Sequence, residues 1–308
     1  MSKMRHGFMR KVSVLVPSYN ASRYLSQAVD SALNQTFQDF EIIIIDDGST
    51  DNTREIVERY LKRAPDKIRY IYQDNQGLAR ARNTGLRHAR GEYVALLDAD
   101  DVWLPARLEE TVKILDADSS AGIAHANITR ISETGDKLDT PRRDARYLSG
   151  YIFENIFLRD AHLSCPTVLF RRKCCEEVGG FDPGLTRLGC EDRELWLRIS
   201  QKFKIQYIDK VLALYRVSGK SMSQDKEKMM QARMYVIDKF CPADGGNRQL
   251  RRKALAKIHH DLGDELLFEQ KFKDSQRQYF KSITLNPFSA WSWINFFKAL
   301  LKIKVNHA

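Results

Sequence analysis

Glu41-Ile42-Ile43-Ile44-Ile45-Asp46-Asp47-Gly48-Ser49 is an apolar, β-branched run that stops abruptly in acids and a turn. Three other runs behave alike: Val12–Val16, Ile68–Tyr72 and Tyr93–Leu97. Helix-like stretches separate them, at Ser22–Gln35, Thr53–Ala64 and Leu78–Ala89. Strand alternating with helix predicts an α/β fold, a mainly parallel sheet flanked by helices on both faces. In such sheets ligands gather at the carboxyl ends of the strands. Each strand here is followed by a polar loop: Pro17-Ser18-Tyr19-Asn20, Asp46-Asp47-Gly48-Ser49, Asp74-Asn75-Gln76-Gly77 and Asp98-Ala99-Asp100-Asp101. All four are expected on one rim.

Further along, Trp103–Leu115 reads as a helix capped by Asp101, and Ile123–Ile131 and Cys165–Phe170 read as strands. A Gly179-to-Pro183 turn leads to Gly189-Cys190-Glu191-Asp192 and a helix Glu194–Gln201. Ile205–Ile208 and Val211–Tyr215 are expected as closing strands, which makes 1–224 one domain. From residue 225 to 308 the chain reads as a helical, basic extension, with one tetratricopeptide-like hairpin over Leu255–Pro287. Its last segment, Trp291 to Val305, gathers Trp293, Phe296, Phe297, Leu300, Leu301 and Ile303 on one arc, opposite Asn295, Lys298 and Lys302. That pattern suits either a helix lying in a membrane interface or one docked on the protein's own core.

The 308 residues are 43% hydrophobic and 29% charged, the balance of a globular chain. No apolar run is long enough to span a bilayer, and Met1–Lys11 lacks the apolar core of a signal peptide. Five cysteines (Cys165, Cys174, Cys175, Cys190, Cys241) show no zinc-type spacing and read as reduced thiols of a cytoplasmic protein. Of the net charge of +10, the part from 225 to 308 holds +7, with 16 Lys and Arg against 9 Asp and Glu. A basic tail suits an anionic membrane surface. It carries no recognised nucleic-acid module, so nucleic acid is not an expected partner.

Three carboxylates directly after a buried strand, Asp98, Asp100 and Asp101, need positive charge to sit together. A divalent ion on a diphosphate supplies it, and hard oxygen ligands select Mg²⁺ or Mn²⁺. Asp47 is placed to hold a base edge or a ribose hydroxyl, or simply to make a turn. Asp192, at a helix start, is either a cap or a general base for an acceptor hydroxyl.

Taken in order, Val12-to-Asn20, Ile45-to-Asp51, Ala81-Arg82-Asn83-Thr84-Gly85 and Gly91-to-Asp101 resemble the family 2 glycosyltransferases of GT-A fold, over about residues 11–217. The resemblance implies inverting transfer of a sugar from a nucleotide diphosphate, a UDP-sugar class of donor, onto a glycan or lipid-linked hydroxyl in surface polysaccharide or lipopolysaccharide assembly. It implies that Pro17, Tyr19 and Asn20 line the nucleotide pocket, with Asp47 on the base and Arg82 and Asn83 beside it. Asp98 would lie near the ribose and Asp100 on the metal. Asp192 would be the catalytic base, with Glu191 and Trp196 on the acceptor side. The chain departs from the pattern at Tyr215-Arg216-Val217-Ser218-Gly219, where many relatives place a ligand-capable residue and this one has Ser218. That puts a third protein contact to the metal in doubt and leaves Arg216 or Lys220 to supply charge. The alternative is a catalytically inactive GT-A-like interaction protein. A sugar nucleotidyltransferase would need a glycine-rich basic loop after the first strand, and Pro17-Ser18-Tyr19-Asn20 is not one.

Overall fold

The computed structural model describes residues 10–138, 148–219 and 225–303. Strands β1 (Val12–Ser18), β2 (Phe40–Asp47), β3 (Ile68–Gln73) and β4 (Tyr93–Leu96) alternate with helices α1 (Leu25–Leu33), α2 (Thr53–Arg63) and α3 (Leu78–His88). β1 pairs in parallel with both β2 and β4, and β2 with β3, as the alternation predicts. Successive side chains of these strands enter opposite cores. Val14, Val16, Ile42 and Ile44 pack with α1 and α2, while Leu15, Ile43 and Ile45 pack with α3. Apolar residues at every position are therefore what a sheet covered on both faces requires.

The second half contains β5 (Val102–Trp103), α4 (Arg107–Ala117), β6 (Ala121–Ile131), α5 (Phe153–Phe157), β7 (Leu169–Arg171), α6 (Arg172–Val178), α7 (Glu191–Ser200) and β8 (Lys204–Arg216). The sheet runs β3-β2-β1-β4-β7-β6-β8-β5, with β7 and β5 antiparallel to their neighbours. Asp101 does not cap a helix at Trp103. Val102 and Trp103 pair with β8 instead, and α4 starts four residues later. Cys165–Thr167 is a turn of 3-10 helix with Pro166 in it, so the strand expected there shrinks to Leu169–Arg171. The two expected closing strands are one, β8, which pairs in parallel with β6 through register shifts near Ala126–Ile128.

Four helices follow: α8 (Lys226–Phe240), α9 (Arg248–Phe268), α10 (Phe272–Leu285) and α11 (Ala290–Leu300). α9 and α10 form the expected hairpin. They approach so closely that a Cβ on Gly263 would lie 2.6 Å from the Tyr279 ring. Ala232, Val236, Leu250, Ala254 and Ile258 belong to the same buried cluster as Phe170 and Trp196. α8 and the first half of α9 are thus built onto the sheet, whereas Leu267, Tyr279 and Ala299 enclose a small core of their own. On α11, Trp291, Trp293, Phe297 and Leu300 remain exposed. No described helix is long and apolar enough to cross a membrane. Of the stretches singled out in the sequence, most of Lys137–Tyr147, Lys220 and the end of the segment at Val305 lie outside the described residues.

Candidate active site

The four loops at the carboxyl ends of β1–β4 are latched to one another by side chains singled out in the sequence. Asn20, at φ 48°, joins the first loop to the second: its N–H donates to Ser49 Oγ (2.9 Å) and its Oδ1 accepts from the Thr50 N–H (2.8 Å). Asp47 joins the second to the third, accepting from Gln73 Nε2 (2.6 Å) and from the N–H groups of Gln76 (2.9 Å) and Gly77 (2.7 Å). Three donors on one buried carboxylate fix the loop geometry. Pro17 is buried in β1 opposite Ile45, and Tyr19 stands 54% exposed on the rim.

Arg82 makes the third latch. It projects from α3 and is fully buried, with Nη2 2.7 Å from Asp98 Oδ1 and Nη1 2.5 Å from Glu191 Oε1. One guanidinium therefore ties the acidic turn after β4 to the start of α7, where Glu191 lies 109 residues after Arg82 itself. Burial, with the Asp192 charge beside it, lifts the Glu191 carboxyl to about 7 although Arg82 pulls it down. Removing one partner of a buried pair leaves an uncompensated charge, so this contact fixes the distance between two segments.

The acidic turn is held from behind as well. The Arg216 N–H donates to Asp101 Oδ1 (2.9 Å), and Arg216 Nε donates to the Asp100 carbonyl (2.9 Å). Asp101 Oδ2 is buried with no partner among the described residues. Asp100 is pushed up to about 6 by burial and by the neighbouring Asp98. Crowded carboxylates short of positive charge are the donor set of a hard divalent cation such as Mn²⁺ or Mg²⁺, which takes its remaining ligands from water and substrate phosphates. Among the described residues no three His, Cys, Asp or Glu side chains are grouped to hold an ion unaided.

Across the Arg82 latch, Gly189 (φ 90°) and Cys190 (φ 63°) turn the chain sharply into α7. A non-glycine residue in the left-handed region is strained, by about 1–2 kcal/mol. The turn sets Asp192 in the first turn of α7, partly exposed, with Oδ1 accepting from the Arg193 N–H at 2.6 Å.

Residues 13–179 of this chain match the family model for glycosyl transferase family 2. The chain belongs to that family. Its fold is that of Staphylococcus aureus TarS 1–349, solved with UDP-GlcNAc: TM-score 0.63, 20% identity, covering 94% of this chain and 90% of that one. It is also that of the mannosyltransferase PcManGT from Pyrobaculum calidifontis, solved with GDP-Man and Mn²⁺: TM-score 0.63, 20% identity, 95% and 85%. Among curated relatives, the putative teichuronic acid biosynthesis glycosyltransferase TuaG of Bacillus subtilis is 33% identical over 227 residues, 73% of this chain and 86% of TuaG. Against several longer relatives the matched region is only about a third of the relative's length.

As a family 2 glycosyltransferase, the chain departs from several single-residue expectations. Asn83 grips the backbone of Phe181, donating to its carbonyl and accepting from its N–H, both at 2.8 Å. Glu191 is 4% exposed and bound to Arg82, so it anchors rather than faces an acceptor. Trp196, 1% exposed, packs on Phe170 with ring centroids 5.5 Å apart and is a core residue. Arg216 stacks over Tyr24 and donates to the carbonyls of Ser132 and Glu133, so its charge is turned into the wall behind the acidic turn. That anchoring role was missed, because nothing near Tyr215-Arg216 in the sequence names its partners. A second missed neighbour is Cys165, whose Sγ lies 3.4 Å from Arg82 Nη2.

Proposed function

We propose that this chain is an inverting glycosyltransferase that moves a sugar from a nucleoside diphosphate, of the UDP class, to a hydroxyl of a surface glycan or its lipid-linked precursor. One observation carries the reading: Arg82 binds both Asp98 and Glu191, which brings the acidic turn and Asp192 to a single rim. On this reading Tyr19 and the latched loops around Asn20 and Asp47 receive the nucleotide, and Asp98 lies toward its ribose. Asp100, with Asp98, would hold Mn²⁺ or Mg²⁺, which when bound supplies the positive charge that stabilises a diphosphate leaving group. Asp192 takes the proton of the acceptor hydroxyl through Oδ2, the oxygen not committed to the Arg193 N–H. The acceptor oxygen then forms its bond to the anomeric carbon as the bond to the diphosphate breaks, and one displacement inverts the configuration. TuaG's name supports a polysaccharide setting, and the UDP-GlcNAc bound to TarS supports a UDP donor. The exposed Trp291, Trp293, Phe297 and Leu300 of α11, with Lys298 and Lys302 on the polar arc opposite, support contact with the inner face of a membrane by a cytoplasmic, peripheral protein.

Calorimetric titration with UDP, dTDP, GDP and CMP, with Mn²⁺ and then with chelator, tests the donor site. Metal-dependent binding of UDP or dTDP is expected. A folded protein that binds none of them would instead be an inactive interaction scaffold.

A further inference from the structure

The loop from Asp182 to Glu194 carries Glu191 and Asp192 and contains the left-handed pair Gly189 (φ 90°) and Cys190 (φ 63°). Strained backbone of this kind persists only where its surroundings over-determine it. Arg82 of α3 holds the loop through Glu191. A second hold comes from α8, in the helical extension. Lys239 Nζ lies 2.5 Å from Asp182 Oδ2 and 2.8 Å from Glu194 Oε1, so one ammonium joins the two ends of the loop. One turn earlier on α8, Tyr235 donates to the same Asp182 oxygen at 3.0 Å. Its hydroxyl also rests against the loop backbone, since a Cβ on Gly184 would come within 2.7 Å of it. Two side chains of one helix thus touch the loop at Asp182, Gly184 and Glu194.

Ion pairs in open water contribute little. Here the Glu194 side chain is fully buried and that of Asp182 only 12% exposed, so the bridge is sheltered. Burial pulls the Lys239 ammonium down, but Asp182 and Glu194 outweigh it and hold it above its ordinary value, so the bridge stays charged. Glu194 is also bound at both oxygens by Arg198, whose guanidinium donates to the carbonyls of Val178 and Gly180 as well. Without Lys239, then, Glu194 keeps a counter-charge, and what is lost is the tie between the ends of the loop. We propose that Lys239, helped by Tyr235, is a positioning residue: it clasps this loop at both ends and so fixes where Asp192 stands relative to the Asp98–Asp101 turn. The helical extension then supplies part of the frame of the candidate active site. That the clasp serves transfer rests on the proposed function of Asp192; that it orders the loop does not.

The test combines amide hydrogen exchange on the full chain with steady-state kinetics, read as UDP release from UDP-GlcNAc with Mn²⁺. Lys239→Met should speed exchange across 183–193 about tenfold, while β1–β4 keep the wild-type rates. Its kcat should fall about tenfold with KM for UDP-GlcNAc unchanged, because the donor loops are untouched and the proposed base is displaced. Tyr235→Phe should shift both readouts in the same direction by less. Lys239→Arg can still bridge two carboxylates and should restore both. Val236→Ala, at a buried apolar position on the same helix, should lower the melting temperature and leave kcat and the loop's exchange at wild-type values. Unchanged exchange of 183–193 in Lys239→Met overturns the clasp, and faster exchange with an unchanged kcat overturns its role in positioning Asp192. A wild-type chain that neither binds UDP nor turns over UDP-GlcNAc defeats the proposed function instead, and the exchange rates alone then decide the clasp.

Discussion

The two acidic turns, Asp98–Asp101 after β4 and Glu191–Asp192 at the start of α7, are built on different backbone. One ends a strand and the other opens a helix, yet they divide labour in the same way. In each, one carboxylate is buried and bound by an arginine from elsewhere in the chain. Asp101 accepts the Arg216 N–H, and Glu191 accepts the Arg82 side chain. In each, a neighbour is left partly open: Asp98 and Asp100 in the first turn, Asp192 in the second. The lesson is that in each acidic turn the buried member locates the turn and leaves its neighbour accessible. The kind of anchor differs too. Asp101 is held by a backbone N–H, which any residue but proline at position 216 supplies, whereas Glu191 depends on one particular side chain.

That contrast can be broken in order of expected effect. Asp192→Asn should lower transfer by about 10²- to 10⁴-fold, while melting temperature and UDP binding stay put, since asparagine can still accept the Arg193 N–H. Full activity in this variant would remove Asp192 from the mechanism. Arg82→Met leaves Glu191 and Asp98 without their counter-charge and should cost about 3–5 kcal/mol in urea unfolding. An unchanged unfolding midpoint would mean that the latch does not hold the two turns together. Glu191→Gln keeps a hydrogen-bonding oxygen beside Arg82, which retains Asp98, so a loss of about 1–3 kcal/mol is expected with part of the activity preserved. Asp101→Asn should change stability by only about 0.5 kcal/mol, because its oxygen still accepts from Arg216 and its amide replaces an oxygen that has no partner. If Asp101→Asn proved more harmful than Glu191→Gln in the same denaturation series, the ranking of the two anchors would be reversed.

Much of this was legible in the sequence. β1–β4 and the helices between them announce themselves because continuous β-branched runs ending in polar loops leave little else to form. Asp98 and Asp100 do follow a strand, and Asp192 does stand at a helix start, where the sequence puts them. What was not legible is pairing across distance. Arg82 and Glu191 are 109 residues apart, and no local pattern marks an arginine on α3 as the partner of a glutamate on α7. Single-residue roles for Asn83, Glu191 and Trp196 therefore went to the ligand when the structure gives them to the scaffold. The two-residue β5 escaped because so short a strand has no period to detect, and Pro166 removed a strand that composition alone favours.

The Arg216 contact with the acidic turn also sets an order of assembly. Asp100 and Asp101 are synthesised 116 and 115 residues ahead of the arginine that steadies them. Until β8 has emerged from the ribosome and added itself to the sheet, the turn has no rear support, although β1–β4 are already complete. A fragment ending at residue 179, the limit of the family match, would hold every strand of the parallel half and still lack a finished turn. The nascent chain thus finishes this acidic turn late, after the greater part of the sheet has been made.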